Sequence, residues 1–305
     1  MLKNSYCPSI SITTFGPALI AVVLFSVLFC TRQPDAAARI TVDPQRNQTA
    51  VIFAVSGDAG DFNMDAVVMV DGKRLRQPFT DDQKDRQKKF ADGYFATGRQ
   101  YRLTFGGGSA GTVTLKKWSE GCNSVHAEVT PSTSAHLGGQ VKALATSSDS
   151  MGKQAGARRA PTDTERAATM DLVKRIYTQH GTTASLYRSM KVTNLTATDL
   201  DGDGKYEIIG SFTLAAKNKF ERDLFLIARP QDEGMRADFV KFQAYQPPAE
   251  GFLSGIDFVD QLDLDGDGVG EVFATQGGFD AYGYSIFKKV KGRWRLVYSG
   301  PGDAC

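Results

Sequence analysis

The sequence contains few of the residues that build the commoner catalytic and zinc centres. It has only 3 histidines and 4 cysteines in 305 residues. No H-E-x-x-H motif occurs, and no cysteine spacing is typical of a zinc site or a redox pair. These shortages argue against a zinc enzyme and against a thiol oxidoreductase.

The chain also lacks a surplus of charge of either sign. Its 36 Lys and Arg oppose 34 Asp and Glu, which gives a net charge of +2. The basic residues are interspersed, and no basic patch is studded with aromatic residues, as nucleic-acid-binding surfaces usually are. The basic run at residues 84–89 is typical of a solvated face. Nucleic acid is therefore not an expected partner.

A long apolar run occurs near the N-terminus. Residues 18–29 are apolar except for Ser26, with Lys3 upstream. Such a run is short for a membrane span and typical of a signal-peptide core, and small residues at 36–38 allow cleavage after Ala38. The segment 1–38 is therefore predicted to be a signal peptide. An uncleaved membrane anchor and a lipoprotein attached through Cys30 are the alternatives.

All three readings predict that the bulk of the chain is extracytoplasmic: periplasmic, membrane-anchored or secreted. Membrane contact is expected only through the N-terminal segment, if it is uncleaved. Cleavage after Ala38 would leave Cys122 and Cys305. In an oxidising compartment these two can form one bridge between the tail and the first domain.

Two nine-residue acidic stretches, 199–207 and 263–271, are the most informative part of the sequence. Each has acids at positions 1, 3, 5 and 9. Like charges about 4 Å apart repel by roughly 4 kcal/mol per pair at an effective dielectric near 20, so converging carboxylates need a cation. Hard oxygen donors on a flexible loop suit Ca²⁺, which predicts two calcium sites. The predicted ligands are Asp199, Asp201, Asp203 and Glu207 in one loop and Asp263, Asp265, Asp267 and Glu271 in the other, with backbone carbonyls of Lys205 and Val269.

The flanks of the two stretches decide which calcium loop they resemble. An EF-hand needs an acid at position 12, and Gly210 and Ala274 stand there. The flanking residues are β-branched and aromatic, typical of strands rather than helices. The pattern D-x-D-x-D-G-x-x-E between two strands resembles the FG-GAP and VCBS repeats of integrin-type β-propellers, with Glu where that family usually has Asp. The resemblance implies a calcium-stabilised scaffold outside the cytoplasm.

The two loops belong to a repeat with a 64-residue offset, since 263 − 199 = 64. Each copy offers four strands, at 190–198, 206–214, 223–228 and 238–245 and at 252–262, 271–275, 284–290 and 293–298. A four-stranded unit of this kind resembles a propeller blade, but two blades cannot close a ring. We therefore expect two blade-like antiparallel sheets that pack on each other or on a helix.

The remainder of the chain predicts a mainly β protein, α+β overall. Short strand patterns over 39–146 favour a β-sandwich-like domain, and the Ser-, Gly- and Arg-rich residues 147–161 a linker. The last domain, 162–305, begins with a helix. A capping box of Thr162 and Glu165 starts this helix, and Gly181 stops it. Its apolar positions are Thr169, Leu172, Val173, Ile176 and Tyr177.

Two further stretches have competing interpretations. Residues 106–111 satisfy G-x-G-x-x-G and G-x-S-x-G literally, but a strand follows where both motifs require a helix. A hairpin connection is therefore predicted there. Residues 277–284 contain Tyr282 and Tyr284, a candidate exposed aromatic patch for a sugar or peptide. The alternative is a glycine-hinged hairpin with ordinary packing.

These observations predict a non-enzymatic, exported calcium-binding protein that acts as a binding or adhesion scaffold. Its partner would be a protein or carbohydrate of the cell envelope or the extracellular space. The alternative is an exported hydrolase in which calcium is a structural ion. Its acids would have to come from outside the loops, with Asp257, Asp260 and Asp280 as candidates.

Overall fold

The computed structural model describes residues 49–79, 84–216, 220–245, 255–277 and 281–304. The predicted N-terminal segment and Asp280 lie outside these ranges. The described residues all belong to one compact unit, Asp43–Cys305. Their strands form three antiparallel sheets, which confirms the mainly β class. No helix of the described residues is long and apolar enough to cross a bilayer.

The first sheet is a closed barrel of six strands with a short seventh strand at its side. The strand order is β1-β7-β4-β5-β6-β2-β3, and β1 also pairs with β2. The strands are β1 (Ala50–Asp58), β2 (Asp61–Asp71), β3 (Arg74–Arg76), β4 (Gln100–Phe105), β5 (Gly108–Glu120), β6 (Val125–Thr133) and β7 (Ala143–Thr146). The expected sandwich is therefore replaced by a single sheet that closes on itself.

Strand β1 shows why a strand of this barrel has apolar residues at successive positions. Val51, Phe53 and Val55 point into the barrel core, whereas Ile52 and Ala54 belong to a second core outside it. Alternate residues of a strand face opposite sides, so a strand buried on both sides loses its polar alternation. Helix α1 (Lys84–Tyr94) adds Phe90 and Ala91 to the barrel core. Of the basic run 84–89, every residue except Gln87 is exposed.

The two repeats form two four-stranded meanders, which we call blade 1 and blade 2. Blade 1 consists of β9 (Met190–Thr198), β10 (Glu207–Ala216), β11 (Phe220–Pro230) and β12 (Met235–Tyr245), with a two-residue strand, β8 (Arg158–Arg159), beside β9. Blade 2 consists of β13 (Gly255–Leu262), β14 (Glu271–Gly277), β15 (Ala281–Val290) and β16 (Arg293–Ala304). Each acidic loop joins the first two strands of its blade, as the repeat predicts.

Helix α2 (Asp163–Gln179) starts with the predicted capping box. The Thr162 N–H donates to Glu165 at 2.7 Å, and the Glu165 N–H donates to the Thr162 hydroxyl at 3.2 Å. Gly181 follows the helix with φ of +75°. The buried positions of α2 are the five that its periodicity predicts, Thr169, Leu172, Val173, Ile176 and Tyr177.

The elements stack in four layers. Helix α2 packs on one face of blade 1 through Ile176, which shares a core with Phe212. The other face of blade 1 packs on blade 2, where Phe225 and Phe287 stack at 5.4 Å between ring centroids. The far face of blade 2 packs on the barrel. The two blades therefore pack on each other, as expected, and each is covered on both faces.

A buried ion pair joins barrel, blades and the predicted linker. Arg158 Nη1 lies 3.2 Å from Asp260 Oδ1, with side-chain exposures of 3% and 0%. The Gly106 N–H donates to both oxygens of Asp260 at 3.0 Å. Gln261 Nε2 donates to the carbonyls of Gly106 at 3.2 Å and Asp199 at 2.8 Å. Asp260 and Gln261 thus connect three parts of the chain.

The glycine-rich stretch has a packing role at this junction. Gly106 and Gly107 form the turn between β4 and β5, with φ of +62° and +79°, as the hairpin interpretation predicts. A Cβ at Gly106 would lie 2.7 Å from the Arg158 nitrogen, and a Cβ at Gly108 would lie 2.1 Å from that of Gly156. These glycines allow residues 154–158 to pack directly on the turn.

The end of blade 2 lies against the β5–β6 turn of the barrel. The N–H of Asn123 donates to Asp303 at 2.8 Å. Cys122, next to it, is disulfide-bonded. The expected partner, Cys305, lies outside the described residues, so the Cys122–Cys305 bridge stays a prediction.

The substitution Asp260→Ala should lower the free energy of unfolding strongly, because it breaks the buried junction. It leaves the Arg158 guanidinium buried without its carboxylate and the Gly106 N–H without its acceptor. Breaking a buried pair from one side costs about 3 to 5 kcal/mol, measurable as the free energy of unfolding in urea. Glu128→Ala is the control, because its pair with Lys117 is exposed at 44% and 70% and is worth at most about 1 kcal/mol. Equal losses in the two variants would contradict the junction's role.

Candidate metal centre

The two acidic stretches, loop 1 (199–207) and loop 2 (263–271), have the same internal hydrogen bonds. In loop 1, Asp199 accepts from the N–H groups of Gly202 and Gly204 at 2.8 and 2.9 Å. In loop 2, Asp263 accepts from Gly266 and Gly268 at the same two distances. The equivalence follows from the shared spacing, since the first acid caps the turn that the glycines form.

The loop glycines have the backbone conformation that the sequence predicts. Their φ angles are +70°, +81°, +76° and +86° for Gly202, Gly204, Gly266 and Gly268. L-residues with a side chain rarely adopt these values. No atom lies within 4 Å of a Cβ built at any of the four. The backbone angle, rather than a lack of space, therefore favours glycine there.

The last acid of each loop is held by a hydrogen bond from a backbone N–H of the same loop. Glu207 accepts from the Leu200 N–H at 3.0 Å, and Glu271 accepts from the Leu264 N–H at 2.8 Å. Burial raises the pKa of Glu207 to about 7, with Asp201 adding to the rise and the Leu200 N–H opposing it. Burial also raises the pKa of Glu271. Each glutamate is thus held in a place where its negative charge is costly without a cation.

In loop 1, three carboxylates converge. Asp199, Asp201 and Asp203 each place an oxygen within 4.8 Å of the others. Asp201 Oδ1 is buried and has no hydrogen-bond partner among the described residues. The ammonium of Lys289 lies 3.5 Å from the other oxygen, Asp201 Oδ2. A buried carboxylate oxygen without a donor fits a cation at this point.

In loop 2, the converging carboxylates are those of Asp263, Asp265 and Glu271. Here a lysine supplies the positive charge. Lys288 Nζ lies 2.8 Å from both Asp265 Oδ1 and Asp267 Oδ2 and also donates to Glu271. Burial opposes the charge of Lys288, but its hydrogen bonds to these three acids outweigh burial and raise its pKa.

The two loops differ because equivalent basic residues of the two blades form different ion pairs. Lys288 follows Phe287, which pairs with Val272 just after loop 2. The equivalent residue of blade 1 is Arg229, because it follows Ala228, which pairs with Ile208 just after loop 1. Arg229 forms an ion pair with Asp238 at 3.1 Å rather than with an acid of loop 1. Loop 1 therefore keeps its carboxylates available, whereas loop 2 shares its carboxylates with a lysine.

The predicted ligands are thus brought together in two incomplete sets. Glu207 is outside the converging trio of loop 1, and Asp267 is outside that of loop 2, where it pairs with Lys288. The N–H groups of Lys205 and Val269 donate to Asp203 at 2.7 Å and to Asp267 at 3.0 Å. Their role as carbonyl ligands stays a prediction. The donor chemistry of loop 1 fits a hard divalent cation, and loop 2 fits one only if Lys288 moves.

The two loops are in direct contact. The Gly270 N–H of loop 2 donates to the Leu200 carbonyl of loop 1 at 2.7 Å. Gln261, just before loop 2, donates to the Asp199 carbonyl. A change in one loop can therefore reach the other through a single hydrogen bond.

Sequence reasoning missed Lys288 and Gln261. Both are polar residues in strands, and neither belongs to the loop motif. Comparison of the repeats by strand pairing would have aligned Lys288 with Arg229, but the pairing register is a property of the structure. No family model, curated protein or solved structure matches the chain.

Removal of the competing ammonium should improve cation binding at loop 2. In Lys288→Met the loop keeps its carboxylates and loses their internal counter-ion. We expect its affinity for Ca²⁺ to rise at least about tenfold, which corresponds to about 1.4 kcal/mol, in a calorimetric titration. Lys291→Met removes the same charge from an exposed turn and should leave both affinities unchanged. Equal affinities in wild type and Lys288→Met would contradict competition.

Proposed function

We propose that the protein is an exported, non-enzymatic calcium-binding β-repeat protein that acts as a binding or adhesion scaffold. Its partner would be a protein or carbohydrate in the cell envelope or outside the cell. The observation that carries the proposal is the pair of equivalent loops, each with three convergent carboxylates. The resemblance of the loop pattern to FG-GAP and VCBS repeats supports the same proposal.

The electrostatics of loop 1 support a cation there. Three carboxylates within 4.8 Å of one another repel by about 3 to 4 kcal/mol per pair at an effective dielectric near 20. Among the described residues, Lys289 forms an ion pair with these carboxylates, and it reaches one oxygen of Asp201. Ca²⁺ would be held by Asp199, Asp201 and Asp203, and it would offset two of their three negative charges and pin the β9–β10 hairpin.

A calcium site in loop 1 would fit a location outside the cytoplasm. Weak calcium sites of extracellular modules, with Kd of about 10⁻⁴ to 10⁻³ M, fill where calcium is abundant. The signal-like residues 18–29 support the same location. The exposed faces of the edge strands offer surface to a partner, since Val240 of β12 and Leu296 and Val297 of β16 are exposed.

The alternative of a hydrolase has limited support from its candidate acids. Asp260 is engaged by Arg158 in the buried junction, and Asp280 lies outside the described residues. Asp257 lines a cleft that also contains Asp65, so one candidate keeps an accessible carboxylate. Glycoside hydrolysis needs two carboxylates that flank the bond to be cut. Loss of any hydrolytic activity in both Asp65→Asn and Asp257→Asn would favour this alternative.

Calcium should stabilise the full-length chain. At a hundredfold excess over Kd one site contributes about 2.7 kcal/mol, and this corresponds to a rise in Tm of roughly 4 to 5 °C for a chain of this size. The measurement is thermal unfolding with calcium and with a chelator. The full chain is required because the barrel covers one face of blade 2, and an isolated second half would expose that core.

Two matched variants test whether the calcium-dependent rise in Tm comes from loop 1. Asp201→Asn removes the charge of loop 1 at its unpaired oxygen and should abolish most of the calcium-dependent rise in Tm. Asp92→Asn makes the same change at an exposed position of α1 and should keep the full rise. An equal rise with magnesium, or no rise with either metal, would remove calcium from the proposal.

A further inference from the structure

A polar cleft of about 450 Å³ lies between the barrel and blade 2. Its polar lining includes Asp65, Lys142, Asp257, Thr275, Tyr282 and Tyr284. The remainder of this interface is an apolar core that contains Ile52 and Phe273. A second apolar layer would have closed the interface, so the polar lining requires its own explanation. Its volume is in the range of small-molecule sites.

The two walls of the cleft are rows of residues that are paired between neighbouring strands. On the barrel, Asp65 of β2 is paired with Ala54 of β1 and with His126 of β6. On blade 2, Thr275 of β14 is paired with Asp257 of β13 and Tyr284 of β15. Directly opposed residues of antiparallel strands share one face of the sheet. Each row therefore presents its side chains to the same cleft.

Hydrogen bonds across the cleft hold the two rows at a fixed separation. The hydroxyls of Tyr282 and Tyr284 both donate to Asp65 Oδ2, at 2.9 and 2.8 Å. Tyr284 is buried and Tyr282 is half-buried, so these two tyrosines do not form the exposed aromatic patch that is one interpretation of the sequence. Lys142 Nζ donates to the Thr275 hydroxyl at 3.2 Å. The two tyrosines, the lysine and Asp65 thus form a preorganised frame.

Two opposite charges in this frame, Lys142 and Asp257, form no ion pair within 4 Å among the described residues. Lys142 has Thr275 as its hydrogen-bond partner and forms no ion pair with a carboxylate of the described residues. The carboxylate of Asp257 has neither a hydrogen bond nor an ion pair among those residues. Burial lowers the pKa of Lys142, and the charges of Asp257 and Asp65 oppose that change. Both charges therefore line the same cleft and lie farther apart than the two partners of an ion pair.

The acids of the cleft do not suit a metal ion. Among the described residues, groups of three acidic, histidine or cysteine ligands within 4.8 Å occur in the two loops, and neither group includes a cleft residue. Asp65, His126 and Asp257 are too widely spread for a single ion. Separated charges of both signs fit a ligand that carries separated charges itself.

We infer that the cleft binds a small zwitterion, an amino acid or short peptide, with its carboxylate on Lys142 and its ammonium on Asp257. Asp65 and the hydroxyls of Tyr282 and Tyr284 line the same cleft. Asp303 also lines it, and the N–H groups of Asn123 and Cys122 donate to Asp303. The site uses none of the loop carboxylates.

The test is a calorimetric titration of the full-length chain with a ladder of probes. The ladder is glycine, 4-aminobutyrate, 6-aminohexanoate and triglycine, in which the distance between ammonium and carboxylate increases. Ethylamine and acetate carry one charge each, and glucose carries none. We expect one member of the ladder to bind at least about tenfold more tightly than either single-charge probe. The preferred length distinguishes a free amino acid from a peptide.

Two variants assign the ends of the ligand. Asp257→Asn should weaken the best probe at least about tenfold without weakening acetate, because acetate has no ammonium. Lys142→Met should weaken the same probe at least about tenfold without weakening ethylamine, because ethylamine has no carboxylate. Asp92→Asn is the control for charge, and the Tm of every variant reports folding. Since the carboxylate of Asp257 has neither a hydrogen bond nor an ion pair among the described residues, its substitution should change the Tm little.

Several outcomes would overturn the inference. These are tighter binding of glucose than of any ladder member, equal effects of both variants on both single-charge probes, or binding that does not saturate. The titrations are repeated with chelator and with Asp201→Asn. Retention of zwitterion binding in both would show that the cleft acts without calcium, whichever way the calcium experiments turn out.

Discussion

The architecture depends on one constraint, which is that each blade has two apolar faces and the described residues form two blades. A propeller solves the same problem by closing a ring, and stacked repeats solve it with caps. Here the two blades cover each other on their inner faces. Helix α2 covers the outer face of blade 1 through Ile176 and Tyr177, and the barrel covers that of blade 2 through Ile52 and Leu144. The barrel is therefore a structural requirement of blade 2.

The same stacking creates both candidate sites. The loops lie at the ends of the first two strands of each blade, and the contact between blades brings Gly270 against Leu200. The cleft forms where the barrel and blade 2 face each other with polar rather than apolar rows. Asp260 and Gln261 connect these regions, since their side chains reach the barrel turn at Gly106 and the start of loop 1 at Asp199. Scaffold and sites therefore share the same few strands.

Local patterns predicted the elements, and long-range pairings decided what they form. The acidic loops, the strands of both blades and helix α2 could be read from the sequence because their signals lie within about ten residues. Barrel closure could not, since it depends on β1 pairing with both β2 and β7. The cleft depends on Asp65 and Tyr284, which are 219 residues apart. Lys288 reaches loop 2 from β15, and no spacing rule of the motif includes it.

The central claim is that loop 1 gathers its carboxylates around a divalent cation, and a crystal grown with calcium tests it most directly. The anomalous difference map should show a peak within about 2.3 to 2.6 Å of Asp201 Oδ1, the distance typical of calcium–oxygen bonds. Oxygens of Asp199 and Asp203 should surround the same peak. A map with no peak at loop 1, and with these side chains directed apart into solvent, would contradict the account.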